Sequence, residues 1–192
     1  HGCCAMLRTL LPADEDSEMA DPAVSFTSHP EDLNIWVVCF ESGNVVVFHQ
    51  LLDGATTLFF RCDTAPQAAF SPDGAMLFVA TDREIVAYSV DEKVCQKGRE
   101  LVEFKEECNR EGYGKKIVTR ICSHTFVDDT TPIVSLQTVK ANDTTPPTAL
   151  VMREKSVEAW YVKPDVKPDG ALTRLARCLK IDTVAACLVQ TD

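Results

Sequence analysis

Gln67-Ala68-Ala69-Phe70-Ser71-Pro72-Asp73-Gly74-Ala75-Met76-Leu77-Phe78-Val79-Ala80-Thr81-Asp82-Arg83-Glu84-Ile85-Val86-Ala87-Tyr88-Ser89-Val90 alternates apolar runs with tight polar breaks. Residues 67–70, 76–80 and 85–90 read as three strands, separated by turns at 71–74 and 81–84. Pro72 fixes φ at the second position of the first turn, and Gly74 relieves crowding at the fourth. The apolar residues stand on consecutive positions, as expected of strands covered on both faces.

The preceding segment has the same order. A short strand at 24–26 is followed by the turn Ser28-His29-Pro30-Glu31-Asp32. A strand at 35–40, the turn Ser42-Gly43-Asn44 and a strand at 45–48 complete the unit. Its last aromatic, Phe48, stands 40 residues before Tyr88, close to the period of about 40–45 residues for four-stranded propeller blades. A third unit takes 132–139, 149–153 and 157–160 as strands and ends in Trp160. Trp160 lies 72 residues after Tyr88, and two insertions, 91–115 and 140–148, absorb the excess. Outer strands are expected at 5–11, 57–62, 116–122 and 172–181, and 184–190 is expected to begin a further blade. The expected fold is therefore all-β: a β-propeller of four-stranded antiparallel blades, with about three blades plus flanking strands. Residues 1–192 are expected to form a partial domain of a larger propeller. Three blades do not close a ring of the usual 4–8, so the rest of the same propeller, or another chain, is expected to cover the open flanks.

Residues 97–116 form a charged surface insertion. They mix Lys97, Arg99, Lys105, Arg110, Lys115 and Lys116 with five glutamates. Within it, 99–109 reads either as a short helix, with Leu101, Phe104 or Lys105, and Cys108 on one face, or as a strand through Val102 and Phe104. An elaborated loop on a rigid scaffold is a place for recognition. Arg99, Arg110, Lys115 and Lys116 are accordingly the candidate partner-binding residues, and excising the segment is expected to remove little core.

The net charge of −10 is uneven: residues 1–96 hold fifteen acids against Arg8, Arg61, Arg83 and Lys93. That half repels phosphate backbones, whereas the second half tolerates them. No apolar run reaches the roughly 18–20 residues needed to cross a bilayer, and no basic flank leads into a long apolar stretch near the start, so no leader is expected. The nine cysteines include no C-x-x-C pair. They read as reduced, buried thiols of a cytoplasmic or nuclear protein rather than as a disulfide framework. The first residue, His1, suggests an engineered expression product, a processed product or an excerpt of a longer protein.

The units resemble WD repeats, a family of β-propellers. The hairpin turn Phe70-Ser71-Pro72-Asp73-Gly74 looks like the first hairpin of such a repeat. Asp82 precedes Tyr88 by six positions, where the family's structural aspartate precedes its tryptophan. Ser42 and Glu154 hold the matching positions before Phe48 and Trp160. The resemblance implies structural roles for Asp73 and Asp82, with Asp82 bracing its tight turn through hydrogen bonds. It lacks the Gly-His and Trp-Asp pairs and is specific only over 67–90.

Sites of chemistry are scarce. Gly112-Tyr113-Gly114-Lys115-Lys116 lacks the first glycine and the Ser or Thr of a phosphate loop. His1, His29, His49 and His124 have no metal-ligand spacing, and His29 and His49 are expected to face solvent. Asp14-Glu15-Asp16 with Glu18 lacks the glycine and spacing of a calcium loop. No catalytic set, metal or cofactor is expected. The leading functional expectation is a non-catalytic interaction scaffold in a multi-protein assembly. It would bind other protein chains, with no membrane or small-molecule substrate. Paired cysteines, an acidic loop and irregular blades also resemble the accessory propeller subunit of the tRNA guanine-N7 methyltransferase, which implies indirect RNA association. A propeller enzyme is the third alternative.

Overall fold

The computed structural model describes residues 21–52, 54–96, 100–111, 116–127, 131–140, 146–163 and 172–179. The strands expected at 5–11 and 184–190 and the acidic loop at 14–18 lie outside them.

Among the described residues, twelve strands form three four-stranded antiparallel sheets. The first holds β1 (Ala23–Ser28), β2 (Ile35–Phe40), β3 (Asn44–His49) and β4 (Gly54–Phe59). The second holds β5 (Gln67–Phe70), β6 (Met76–Ala80), β7 (Glu84–Val90) and β8 (Val118–Thr125). The third holds β9 (Ile133–Val139), β10 (Thr148–Arg153), β11 (Ser156–Val162) and β12 (Leu172–Leu179). Within each sheet every strand pairs with its sequence neighbour. Strands β1 and β2 lie against β5, and β5 and β6 lie against β9. The first strands thus share an inner edge from which the sheets radiate. The fold is three blades of a β-propeller, set side by side in an arc that does not close.

Alternation along each inner strand sends side chains into two seams. Ile35, Val37, Cys39, Val45 and Val47 of the first blade meet Leu77, Val79, Val86 and Tyr88 of the second. The other face of the second blade, with Phe78, Ala80, Ile85 and Ala87, meets Leu136, Ala149, Val151 and Trp160 of the third. Consecutive residues such as Leu77 and Phe78 are both fully buried because each faces a different neighbour. On the first blade's far face, Val38, Phe40, Val46 and Phe48 form a separate buried cluster.

The structure corrects several boundaries. The fourth strand of the first blade begins at Gly54, paired with His49, rather than at 57. It ends before Phe60, whose N–H turns to the Gly43 carbonyl. Residues 118–125, rather than 116–122, form β8. Between β7 and β8 the chain makes a short 3-10 helix, Glu92–Val94, and then α1, Leu101–Glu111. The helix alternative for this segment therefore holds. Phe104 and Cys108 are its buried residues, four positions apart on one face.

Candidate interaction surface

The arc has two ends: polar side chains stitch neighbouring blades at one and fasten each blade's own turn at the other. At one end lie the turns β1–β2, β5–β6 and β9–β10. In the β5–β6 turn the Gly74 N–H reaches the Ser71 carbonyl at 2.8 Å, Ser71 Oγ donates to Asp73 Oδ1 at 2.6 Å, and the Met76 N–H donates to Ser71 Oγ at 2.9 Å. Asp73 has one oxygen left over, and Lys140 of the third blade reaches it with Nζ at 2.7 Å from Oδ2. Burial opposes ionisation of Asp73, but the bonds from Lys140 and Ser71 outweigh it and hold the carboxyl below its usual range.

His29 approaches the same turn from the other side. Its Nδ1 accepts the N–H groups of Glu31 (3.2 Å) and Asp32 (3.0 Å), which places the ring proton on Nε2. Nε2 then donates to the Gly74 carbonyl at 2.9 Å. The turns of three successive blades are thereby laced together. The expectation that His29 and His49 face solvent is wrong: they are 2% and 1% exposed, because a neighbouring element covers each. A cleft of about 670 Å³ lies beside this lacing, lined by Glu31, Asp73, Ala75, Glu92, Lys93 and Cys95 among others.

At the opposite end, each turn between the second and third strands is tied to the segment entering its own blade. In the second blade the Asp63 N–H meets the carboxylate of Asp82 at 3.3 and 3.4 Å. In the first, the carboxylate has moved to the entering segment: Asp21 accepts the Ser42 N–H at 3.0 Å and the Ser42 hydroxyl at 2.5 Å. In the third, the Arg153 guanidinium donates to the Thr131 carbonyl. One geometric task is thus met by three chemistries. Asp82 is buried, yet the hydroxyl of Thr81 is what caps its turn, accepting the N–H groups of Arg83 (3.1 Å) and Glu84 (3.0 Å). The turn-bracing bonds implied by the family resemblance are therefore made by the adjacent residue, while Asp82 fastens the linker. A second cleft, of about 610 Å³, lies here beside Asp63, Thr64, Asp82, Arg83, Phe126 and Pro132.

Of the candidate partner-binding residues, Arg110 is exposed on the last turn of α1, where its Nε lies 3.2 Å from Glu111 Oε1. Lys116 is exposed just before Ile117, whose N–H donates to Thr56 Oγ1 at 2.9 Å. Arg99 and Lys115 lie outside the described residues. Reading single hairpins missed His29, Asp32, His49 and Lys140. Aligning the first-hairpin turns would have pointed to one of them, since His29-Pro30 stands where the next unit has Ser71-Pro72.

Among the described residues no group of three or more His, Cys, Asp or Glu side chains is placed to hold a metal ion. No described helix is long and apolar enough to cross a membrane.

No protein-family model matches the chain, and no curated protein matches it in sequence. Its architecture is similar to that of solved structures. Saccharomyces cerevisiae Sqt1 aligns at 12% identity and a TM-score of 0.49, over 84% of this chain and 39% of that one. A chain of the yeast heterotrimeric Nup82-Nup159-Nup116 nucleoporin complex aligns at 13% identity and a TM-score of 0.49, over 88% of this chain and 54% of its own. An auxiliary nutrient binding protein from Bacteroides thetaiotaomicron aligns at 15% identity and a TM-score of 0.41, over 79% of this chain and 35% of that one. This chain spans between about a third and about half of each.

Proposed function

We propose that the chain is a non-catalytic part of a propeller scaffold that binds other protein chains, and that the segment 97–116 carries a share of the contact. The observation behind this reading is the construction of α1. Phe104 and Cys108 root the helix in the fold, while the charged residues Glu103, Glu106, Arg110 and Glu111 remain at the surface. A rooted element with a mixed-charge outer face meets a complementary surface with little loss of conformational freedom. Cys39, Cys62 and Cys122 are free thiols, which supports a reducing compartment, cytoplasmic or nuclear.

The test is affinity purification of the full-length protein with mass spectrometry, beside the double variant Arg110→Glu, Lys116→Glu. A stoichiometric protein partner that the variant captures less well, with a salt-sensitive remainder, supports the reading. Undiminished capture by a folded variant moves the contact elsewhere on the arc. Co-purifying tRNA would favour the accessory-subunit alternative.

A further inference from the structure

The insertion leaves the second blade but is fastened to the first. Asp32, in the β1–β2 turn, is 5% exposed. Its Oδ1 accepts the backbone and side-chain N–H groups of Asn34 at 3.0 and 2.8 Å. Its Oδ2 accepts the backbone N–H of Gln96, 64 positions away, at 2.7 Å. Beside it stands His49, at the end of β3. The Leu51 N–H donates to Nδ1 at 3.2 Å, so the proton sits on Nε2, which donates to the Val94 carbonyl at 2.9 Å. The Phe104 ring of α1 covers the imidazole with centroids 5.7 Å apart. A carboxylate and a neutral imidazole of the first blade thus hold both the start of the insertion and its helix.

We propose that this arrangement is an acid-released latch: neutral His49 holds the insertion on the first blade, and protonating the imidazole lets α1 and the 94–96 segment come away. The chemistry follows from the donor count. A protonated ring carries hydrogen on both nitrogens, so Nδ1 turns a donor toward the Leu51 N–H and that bond is lost. Among the described residues, Asp32 is the charged group that bears on the ring. The β1–β2 turn presents Asp32, whose Oδ2 is 3.8 Å from Nε2. The turn after β3 presents the Leu51 N–H, the 92–94 helix the Val94 carbonyl, and α1 the Phe104 ring. Glu103 and Glu106 of α1 are exposed. Asp32 and the Val94 carbonyl favour the charged ring, but burial outweighs them and lowers the His49 pKa from its ordinary 6.5.

The sign of the response is fixed by that shift. The released state, with His49 in water, binds the proton better than the latched state. The latch is intact above about pH 6.5 and weakens as pH falls below it, by about tenfold per unit until the lowered value is reached. Asp32 also has a lowered pKa: burial acts to raise it, and the bonds from Gln96 and Asn34 outweigh burial. Its contribution is lost only as pH falls below its ordinary 3.8. The interval between about pH 6.5 and 4 therefore reports on His49 rather than Asp32.

Amide hydrogen exchange on the full chain, corrected for the intrinsic pH dependence, tests this. From pH 7.5 to 5, protection at Gln96 and along α1 should fall below pH 6.5, at up to about tenfold per unit, while β6, which pairs with neither β3 nor β8, keeps its own. His49→Gln retains an N–H for the Val94 carbonyl but takes up no proton, so its α1 protection should not change over this range. His124→Gln should leave the acid response in place, because His124 lies on β8 against Phe126 and Trp160, away from Asp32, His49 and Phe104. A wild-type protein whose α1 protection does not change with pH overturns the proposal, as does an acid loss that persists in His49→Gln. Should that variant not fold, the ¹³C shift of His49 Cε1 in the wild type decides. Ring titration accompanied by loss of α1 protection supports the latch; titration with α1 still protected refutes it.

Discussion

Gly74 shows how closely the blades meet at their turns. Its φ is +71°, and a Cβ built on it would lie 2.2 Å from His29 Nε2. Gly74→Ala therefore meets both a disfavoured backbone region and a neighbour whose ring is held by three hydrogen bonds. It should lower stability by about 1–3 kcal/mol in chemical denaturation; an unchanged midpoint would show that the His29 ring moves aside at no cost. Asp82 supplies a second test. Asp82→Ala removes the acceptor of the part-buried Asp63 N–H and should destabilise by about 0.5–1.5 kcal/mol. Asp82→Asn, which keeps one carbonyl oxygen, should lose less. Equal losses in the two variants would mean that the contact with Asp63 is not what Asp82 contributes. The six-residue spacing to Tyr88 singles out Asp82 in the sequence, but its partner is not legible there, since no periodicity fixes the position of a linker residue. His29 and His49 were misread for a related reason. In an isolated hairpin, a turn and a strand end are wet, and it is the next blade or the insertion that buries them.

At the scale of elements, strands were legible wherever both faces are buried. Val45 to Phe48 and Met76 to Ala80 are apolar on successive positions, a pattern that a half-wet helix does not produce. The insertion was ambiguous because its apolar residues satisfy two periods. Leu101 and Val102 are 42% and 67% exposed, whereas Phe104 and Cys108 are fully buried. Only the second pair, four apart, marks the helical face. The expectation that the segment holds little core does not survive this packing. Excising 97–116 removes Phe104 from the His49 ring, and with it the cover of a buried polar pair. Phe104→Ala alone should cost about 3–5 kcal/mol, the range for large aromatic truncations in a core. The loss should appear in calorimetry together with faster amide exchange along α1. A cost below about 1 kcal/mol would place α1 among dispensable surface excursions.

For the whole molecule, the repeat logic is visible in three aromatics. Phe48, Tyr88 and Trp160 end the third-strand patterns of their blades, and Tyr88 and Trp160 each face the preceding blade. Tyr88 meets the first blade and Trp160 the second, whereas Phe48 lies on the first blade's far face, where Phe26 and Phe59 are 72% and 70% exposed. A stack of this kind has stability that is approximately a sum of blade and seam contributions. Leu77 and Phe78 permit a clean separation of the seams, because they are adjacent on β6, both fully buried, and face opposite neighbours. Leu77→Ala should cost about 2–5 kcal/mol and Phe78→Ala about 3–5 kcal/mol. Amide exchange should distinguish them: Leu77→Ala should raise exchange in β2 and β3 more than in β10 and β11, and Phe78→Ala should do the reverse. The asymmetry follows from contact, since the first blade has no share in the cluster around Phe78 and the third has none in the cluster around Leu77. Among the described residues, the hydrogen bonds at the turn end run through Gly74 to one neighbour and through Asp73 and the Phe70 carbonyl to the other, so they couple the seams by way of β5 and its turn. If both variants instead raise exchange equally in all three sheets, that turn and the shared β5 edge bind the arc into one cooperative unit, and seam-by-seam additivity is refuted.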